Sequence, residues 1–399
     1  MKCKITDDVL NPFMSFGKMP SANGFLEKKD FDKEFFYEME VGFSNKVSLL
    51  QLNEFSNPKK VHNEKYPFYT SSSEHMKQHF NKFSEWMKKE YLTSNSKLIE
   101  VGSNDGTLLK NFINSSIDHV GFEPSKTIAD LATKHKVKTL NAFFNQESIS
   151  EIKEFKNKTD VICSANVIAH IPDLKDVILT IDKLLSSKGV FIFEDPYLGS
   201  MFSQVSYDQI YDEHIFLFSL SSIKKIFALF DFELIDALPQ KSHGGSMRYV
   251  VGRKNKHKIN SRVHNIIALE KENKLDDIAS CLKFKNDCEK SKEKIISELK
   301  KLKDEGKKIC GYAATAKSST LLNYCNLGTD VIDFICDTTS EKIGKFSPGK
   351  HIPIVPVEDF HTNKPDIAYL FAWNHKEEIF SKEKNFTNSG GKWFSHVAL

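Results

Sequence analysis

The sequence lacks several features that would place it in a common functional class. No apolar run approaches the length of about 18 residues that a membrane-spanning helix needs. The 56 basic and 53 acidic residues give a formal net charge of +3, which is too balanced for a nucleic-acid-binding surface. The N-terminus has no basic segment followed by an apolar core, which argues against a signal peptide. We therefore expect neither a membrane nor a nucleic-acid partner.

Catalytic and metal-binding motifs of fixed spacing are also missing. The seven cysteines form no CxxC pair, and no HExxH motif or EF-hand loop is present. No GxSxG motif follows a strand-like run, which argues against a Ser-His-Asp hydrolase. Several cysteines lie in apolar surroundings, as buried free thiols do. We expect a monomer in the reducing cytoplasm and no metal.

The most informative segment present is LIEVGSNDGTLL, residues 98–109. It predicts a strand ending at Glu100, a tight turn with Gly102 and Gly106, and a helix from Leu108. A second acid, Glu123, ends the next apolar run at the position where an acid holds ribose hydroxyls in dinucleotide folds. The acid at the first strand end would repel a pyrophosphate and suits a cationic amino-acid ligand. The two acids favour S-adenosylmethionine over NAD, whereas the glycine turn alone could be only a tight turn.

The order of apolar runs predicts the architecture. From residue 97, strand-like and amphipathic segments alternate, which predicts an α/β fold with a parallel sheet covered by helices on both faces. The segments FELIDAL and SMRYVVGRK could add antiparallel strands. A chain of 399 residues accommodates two or three domains. We expect a small module at 1–60, the α/β domain at 61–255, a charged helical connector at 256–301 and a smaller α/β domain at 302–399.

The segment DQIYDEHIFLF carries the strongest catalytic pattern. Tyr211 and His214 are three residues apart and would share one face of a helix. Histidine titrates near neutral pH and is a natural general base, while the tyrosine hydroxyl could orient a substrate or stabilise an oxyanion. A surface turn with an aromatic anchor is an equally good interpretation of this segment alone.

Other histidines divide into two groups. His170 and His243 lie at predicted loops of the same domain, and His170 falls at the sheet edge where ligands bind in open α/β folds. Four further histidines could be surface residues: His62, His75, His79 and His375.

Several segments together resemble the sugar C-methyltransferases, which act on nucleotide-linked 4-keto-6-deoxy sugars. They are LIEVGSNDGTLL, ANVIAHIPDL, FEDPYL, IYDEHIFLFSL, SHGGSMR and TLLNYCNLG with SPGKHIPI and AWNHKEEI. The resemblance runs from about residue 20 to the C-terminus. It implies a small N-terminal zinc-binding domain, a class I methyltransferase (Rossmann-like) domain and a C-terminal Rossmann-like domain.

The resemblance also implies residue roles. His214 would remove the proton at C3 of the sugar to give an enolate, which S-adenosylmethionine would methylate. The remaining catalytic candidates are Tyr211, Glu213, His170 and His243. The cofactor-binding candidates are Glu100, Gly102, Ser103, Asn104, Asp105, Gly106, Glu123, Pro124 and Asn166. The substrate-binding candidates are Tyr66, Tyr69, Tyr197, Lys317, Ser318 and Asn323, with Lys317 and Ser318 at a helix start that could bind phosphate.

The chain departs from the family at the zinc site. The family's N-terminal module resembles a four-cysteine site, but here only Cys3 remains. Its partner position is Thr6, and the second pair falls near Ser44 and Val47. One thiolate cannot build a tetrahedral zinc site, so we expect a degenerate module that has kept its scaffold, including PSANGFL, without the metal.

Two other functions fit the same donor site. An O- or N-methyltransferase would need only deprotonation of a heteroatom by the same histidine. A non-enzymatic binding protein would have lost catalysis together with zinc.

Overall fold

The strands form three sheets in the computed structural model, which describes residues 1–10, 12–55 and 69–399. The central sheet has the order β10-β11-β8-β7-β4-β5-β6. Its strands are β4 (Lys97–Val101), β5 (Asp118–Phe122), β6 (Thr139–Leu140), β7 (Thr159–Ala165), β8 (Leu185–Pro196), β10 (Phe232–Gln240) and β11 (Ser246–Arg253). Strands β4 to β8 are parallel, and β11 pairs antiparallel with both β8 and β10. The predicted α/β sheet with added antiparallel strands is confirmed.

Helices cover both faces of this sheet. They are α1 (Glu74–Glu90), α2 (Lys126–Lys134), α3 (Leu174–Leu184), α4 (Leu198–Gln204) and α5 (Leu220–Ala228). Ser73 caps α1 by accepting a hydrogen bond from the Met76 amide, as its position before the helical pattern predicts. Apolar side chains on the two faces form two separate clusters, so the inner strands read as continuous apolar runs.

A four-stranded antiparallel sheet occupies the N-terminal region. It contains β1 (Pro12–Pro20), β2 (Phe36–Ser44), β3 (Leu49–Leu52) and β9 (Phe216–Leu217). Strand β1 was not predicted. Its sequence contains turn-forming residues, and its pairing with β2 has two register shifts. Strand β9 follows His214 directly, and the Leu52 amide bonds the Ile215 carbonyl, so the YDEH segment is attached to the N-terminal sheet.

The connector consists of two helices, α6 (Ser261–Glu272) and α7 (Ile278–Asp304). Gly306, at φ +77°, takes the left-handed conformation just after α7, as expected for a helix C-terminus. The connector is not simply a solvated charged face, because Glu270 is fully buried. Its carboxylate accepts the amides of Leu220 and Ser221 at the start of α5 at 2.7 and 2.8 Å.

The C-terminal sheet is entirely parallel, in the order β14-β13-β12-β15-β16. Its strands are β12 (Ile309–Tyr312), β13 (Ile335–Asp337), β14 (Ile354–Pro356), β15 (Ile367–Leu370) and β16 (Lys392–Phe394), and its helices are α8 (Ala316–Tyr324), α9 (Val357–Asn363), α10 (Lys376–Lys382) and α11 (Lys384–Asn388). One apolar cluster joins this domain to α7 and to the N-terminal sheet, for example through the rings of Phe16 and Tyr324 at 4.9 Å.

One local prediction in the central domain is wrong. The glycine turn after β4 does not lead into an α-helix at Leu108; a short 3-10 helix spans Leu109–Phe112 instead. Across the described ranges, no helix is long and apolar enough to cross a membrane.

Candidate active site

A cavity of about 570 Å³ lies at the carboxyl ends of the parallel strands, where ligands bind in open α/β sheets. One wall comes from the central domain and includes Gly102, Glu123 and His170. The opposite wall comes from the C-terminal domain, residues 373–378. The volume is in the range of ligand sites and lies between two domains.

The glycine turn forms the floor of the cavity. Gly102 has φ +68°, and a Cβ atom there would lie 2.5 Å from the Val167 side chain, which also lines the cavity. Gly106 has φ +76°, and its Cβ would lie 2.8 Å from Val137. Both positions therefore require glycine for conformation and for space.

Of the two acids in the sequence pattern, Glu123 lines the cavity and Glu100 does not. Glu100 is buried, and its Oε2 has no hydrogen-bond partner among the described residues. Burial, with the charges of Asp105 and Glu123, raises the pKa of Glu100 well above its usual range. Glu123 lines the cavity and accepts the Asn104 and Ser125 amides at 3.0 and 2.8 Å. Burial raises the pKa of Glu123 to about 7.

The polar side chains of the turn bond other parts of the protein, and of these residues only Asn104 also lines the cavity. The carboxylate of Asp105 is buried and accepts the Ser71 amide at 2.9 Å, and the Asn104 side chain accepts the Thr70 amide at 2.9 Å. Asn104 also contributes to the cavity wall, whereas Ser103 is buried against Gly121. These bonds place residues 70–73 over the cavity.

Two further cofactor-binding candidates, Pro124 and Asn166, line the cavity. Asn166 has φ +58°, and its side-chain Oδ1 is buried without a hydrogen-bond partner among the described residues. An unpartnered acceptor at the wall, beside the close approach at Gly102, fits a ligand that brings its own donors.

Tyr211 and His214 form a hydrogen-bonded pair. The Tyr211 hydroxyl lies 2.8 Å from His214 Nε2, and His214 Nδ1 lies 2.6 Å from the Gln209 carbonyl oxygen. Because a carbonyl only accepts, Nδ1 carries the proton and Nε2 is the basic nitrogen. Burial, together with His170, lowers the pKa of His214 well below its usual range, which keeps the imidazole neutral.

His214 does not itself line the cavity; it lies directly behind His170, which does. The two rings are edge to face, with centroids 5.0 Å apart. His170 Nδ1 is 4.0 Å from Glu213 Oε2. Burial and the neighbouring Asp212 raise the pKa of Glu213 to about 7. The structure thus brings together the four candidates at positions 170, 211, 213 and 214.

The PSANGFL segment of the N-terminal module holds the catalytic segment. Asn23 donates to Glu213 Oε1 at 2.7 Å, and Ser21 and the Ala22 amide donate to Asp212 at 2.8 and 3.0 Å. The sequence analysis noted this segment as intact but gave Asn23 no role. Nothing in the sequence indicates the pairing, because 190 residues separate Asn23 from Glu213.

A second group of residues combines His243 and Gly244 of the central domain with Lys317 and Trp373 of the C-terminal domain. His243 lines the cavity in a left-handed conformation, and burial, followed by the charge of Lys317, lowers its pKa to about 3. Trp373 packs against Gly244, where a Cβ would lie 2.1 Å from the indole ring, and its Nε1 donates to Asp208 at 2.7 Å. The ammonium of Lys317 lies 4.5 Å above the indole ring.

Several substrate-binding candidates lie elsewhere. The Tyr197 hydroxyl donates to Glu270 at 2.9 Å, and the Asn323 amide donates to the carbonyls of Ser319 and Pro348. Ser318 is fully buried, with its amide and its hydroxyl bonded to Thr315. Tyr69 directly precedes Thr70 and Ser71, whose amides donate to the side chains of Asn104 and Asp105. Tyr66 lies outside the described residues.

Two histidines that could have been surface residues have buried contacts. His375 lines the cavity, and burial lowers its pKa. His79 pairs with the fully buried Glu194 at 2.6 Å, and Glu194 also accepts from Arg248 Nε at 2.6 Å. The neighbouring Asn374 also lines the cavity. Sequence spacing could not find these positions, because each depends on a contact between distant segments.

The former zinc-ligand positions do not fit a tetrahedral zinc site. Cys3 and Val47 are buried in one apolar cluster. The hydroxyl oxygens of Thr6 and Ser44 are buried without hydrogen-bond partners among the described residues. One thiol, two hydroxyls and a valine are not a zinc donor set.

Three family models match successive parts of the chain. Residues 3–62 match a model whose description refers to zinc binding, 71–237 match "Methyltransferase domain", and 241–398 match "C-methyltransferase C-terminal domain". A curated relative, the C-methyltransferase NovU from Streptomyces niveus, is 29% identical over 397 residues, which are 98% of this chain and 94% of that protein.

Solved structures include similar folds. The magnesium protoporphyrin IX methyltransferase of Synechocystis PCC 6803 with bound SAH has a TM-score of 0.36 and 12% identity, covering 45% of this chain and 83% of that chain. The CurJ carbon methyltransferase has a TM-score of 0.36 and 14% identity, covering 45% of this chain and 54% of that chain.

Proposed function

We propose that this chain, an S-adenosylmethionine-dependent methyltransferase of the class I, Rossmann-like fold, is a C-methyltransferase that methylates C3 of a nucleotide-linked 4-keto-6-deoxy sugar. The observation that carries this proposal is the Tyr211–His214 pair, with its protonated nitrogen fixed by Gln209, beside a cavity between two α/β domains. A fixed neutral imidazole suits removal of a proton from carbon.

The central-domain wall would hold the methyl donor, which supplies an electrophilic methyl group on a sulfonium when bound. Glu123 would accept hydrogen bonds from ribose hydroxyls, and the buried Glu100 would regain its charge beside the cationic amino group. The glycine turn lets the ligand approach the main chain closely.

His214 would act as the base for carbon methylation. The 4-keto group acidifies the proton at C3, and this proton ends on His214 Nε2, the nitrogen of the pair that can accept it. The electron pair of the broken C–H bond moves into the C3–C4 bond and leaves O4 negative. The Tyr211 hydroxyl, released from Nε2, can then donate to a substrate oxygen. His170, held near Glu213, would orient the sugar at the cavity wall.

The test is to incubate the protein with labelled donor and a panel of nucleotide-4-keto sugars, and to locate the methyl group by NMR. We expect a new carbon–carbon bond at C3. In deuterium oxide without donor, the C3 position should exchange, and His214→Asn should abolish exchange and methylation while donor binding persists. A methyl group on oxygen or nitrogen would overturn the proposal, and absence of donor binding would favour a binding protein.

Further parts of the proposal concern the setting of the enzyme. All seven cysteines are buried free thiols, which supports a reducing cytoplasmic location. In the described part of the N-terminal module, one thiol among the four former ligand positions supports a metal-free scaffold. Deoxysugar and polysaccharide biosynthesis are the processes that would use such a product. A monomeric state and the absence of a nucleic-acid partner stay predictions.

A further inference from the structure

Lys317 is a buried lysine at the edge of the candidate active site, in contact with the cavity-lining residues Trp373 and Asn374. It lies near the start of α8 and is only 8% exposed. Its ammonium donates to Asn374 Oδ1 at 3.1 Å and lies 4.5 Å above the Trp373 ring; both of those residues line the cavity. A cation held this deeply by a neighbouring domain needs a reason, because its desolvation costs several kcal/mol, roughly.

The hydrogen bonding of this ammonium is incomplete within the described parts of the chain. An ammonium has three donors, and one acceptor, Asn374, lies within hydrogen-bond distance. Asp208 is the carboxylate whose charge acts on Lys317, but its Oδ2 accepts the Trp373 indole N–H at 2.7 Å and its Oδ1 lies 3.1 Å from His396 Nε2. The remaining donor capacity of Lys317 is therefore available to a ligand oxygen.

The position of the ammonium relates it to the base. Its charge contributes to the lowered pKa values of three histidines, His214, His243 and His375, for each of which burial is the largest cause. The geometry connects the ammonium to the catalytic segment: it lies over the Trp373 ring, whose Nε1 donates to Asp208, and Thr320 on the same helix donates to the Ile210 carbonyl. In a 4-keto sugar the carbonyl oxygen is attached to the carbon next to C3, so a sugar with C3 at the catalytic segment would place that oxygen toward the cavity wall that Trp373 and Asn374 form.

A diphosphate is a poorer match for Lys317. Two amides at the start of α8 are already bonded, because Thr315 caps the Ser318 amide and Asp337 accepts the Ala314 amide at 2.6 Å. The Asp337 carboxylate would also repel a phosphate there. One buried ammonium would have to balance a doubly charged group, whereas it matches the single charge of an enolate oxygen.

We propose that Lys317 is a catalytic residue that binds the sugar O4 oxygen and stabilises the enolate formed when His214 removes the C3 proton. The C3–H bond breaks, its proton passes to Nε2, and its electron pair forms the C3–C4 double bond as O4 becomes negative beside Lys317. The C3 carbon then forms its bond to the methyl group, sulfur leaves as a neutral thioether, and the O4 carbonyl is restored. This inference rests on the proposed function.

The test compares Lys317→Met with Lys342→Met in the full-length chain. Lys342 is a matched control, because it is a half-buried lysine of the same domain with one acceptor, the Ala314 carbonyl, and an aromatic neighbour, Phe25 at 5.0 Å. The measurements are donor-free exchange at C3 in deuterium oxide at saturating sugar, kcat, and the Kd values for sugar and donor.

We expect Lys317→Met to slow exchange and kcat by about 100-fold, the usual effect of losing one oxyanion donor, with donor affinity unchanged and sugar affinity reduced less than about tenfold. Lys342→Met should retain exchange and kcat. Exchange in Lys317→Met within about threefold of the unsubstituted protein would overturn the proposal. The proposal would also be overturned if Lys317→Met lost only affinity, both for the nucleotide sugar and for free thymidine, guanosine or cytidine diphosphate. That result would mean that Lys317 binds the diphosphate.

Two controls keep the result interpretable. Failure of the unsubstituted protein to exchange C3 with any sugar contradicts the proposed function itself, whereas equal exchange in both proteins contradicts only the role of Lys317. If Lys317→Met does not fold, Lys317→Gln takes its place. That variant keeps a hydrogen-bond donor without charge, so we expect about a tenfold slower exchange, and an unchanged rate would overturn the proposal.

Discussion

At the scale of single residues, the candidate site depends on which carboxylates and histidines are charged. Glu213 is the clearest case, because burial and Asp212 bring its pKa to about 7 while the Asn23 amide opposes that shift. Three groups therefore face it: Asp212 on the same segment, His170 from the neighbouring loop and Asn23 from the N-terminal module. Because this pKa lies near neutral pH, a small shift in it changes the ionised fraction of Glu213 at neutral pH, and we expect activity to change with it.

Asn23→Ala should move the pH dependence of methylation. The amide stabilises the ionised carboxylate, so its removal raises the pKa of Glu213 above about 7. If ionised Glu213 holds His170, activity rises with pH through this pKa. We expect the acidic limb of the kcat profile to move up by about one pH unit, the equivalent of one hydrogen bond to a charged group.

Asn53→Ala is the matched control, because Asn53 bonds Glu40 in the same module and does not contact the catalytic segment. The acidic limb of the kcat profile of Asn53→Ala should not shift. An Asn23→Ala profile that is scaled down at every pH without a shift would mean that Asn23 acts only on folding.

At the scale of elements, we expect the glycine turn between β4 and β5 to control donor binding. The turn works through backbone conformation and space, since the amides of Ser103 and Asn104 already bond Phe122 and Glu123. A ligand at this floor is therefore held by shape and by side chains rather than by a row of free amides at a helix start.

Gly102→Ala should weaken donor binding. The new Cβ would lie 2.5 Å from Val167, in addition to a left-handed backbone that costs an L-residue about 1–2 kcal/mol. Titration calorimetry with S-adenosylmethionine measures the effect, and we expect affinity to fall at least about tenfold.

The variant Gly344→Ala separates the steric clash from the cost of the left-handed backbone. Gly344 has φ +83° with no atom within 4 Å of an added Cβ, so it carries the backbone cost without the clash. It should lose stability in thermal unfolding and keep its donor affinity. Equal donor affinity in the two variants would show that space at Gly102 is unimportant.

At the scale of the whole molecule, the site is assembled from all three regions. The N-terminal module holds Asp212 and Glu213, while α8 of the C-terminal domain bonds both partners: Ser319 donates to the Ala22 carbonyl and Thr320 to the Ile210 carbonyl. The N-terminal module therefore has a structural task that does not require zinc.

Chelation should leave the molecule intact. We expect the purified protein to contain far less than one zinc per chain, and its Tm and activity to be unchanged after treatment with EDTA, because the former ligand positions offer one thiol. The reciprocal variant, with Thr6→Cys, Ser44→Cys and Val47→Cys together, should bind cobalt(II) with a thiolate charge-transfer spectrum. Stoichiometric zinc in the unsubstituted protein, or unfolding on chelation, would contradict this expectation.

The sequence by itself determined the local features of this protein. The alternation of apolar runs predicts the parallel sheet, and the glycine turn with Glu100 and Glu123 predicts where a ligand would meet it. The prediction of the sheet is confirmed because strand period and turn conformation are set by neighbouring residues, while the position of the ligand stays a prediction. Strand β1 was missed because turn formers within it are overridden by pairing with β2.

Only the tertiary structure decided which distant groups meet. Tyr197 and Asn323 bond other partners, while Asn23 and Thr320 bond the catalytic segment from the N-terminal and C-terminal regions. Sequence spacing carries no information about such contacts, because they arise when separate domains bury their surfaces against one another. The same packing sets the pKa values of the histidines and of Glu213, since desolvation depends on what surrounds a group and not on its neighbours in the chain.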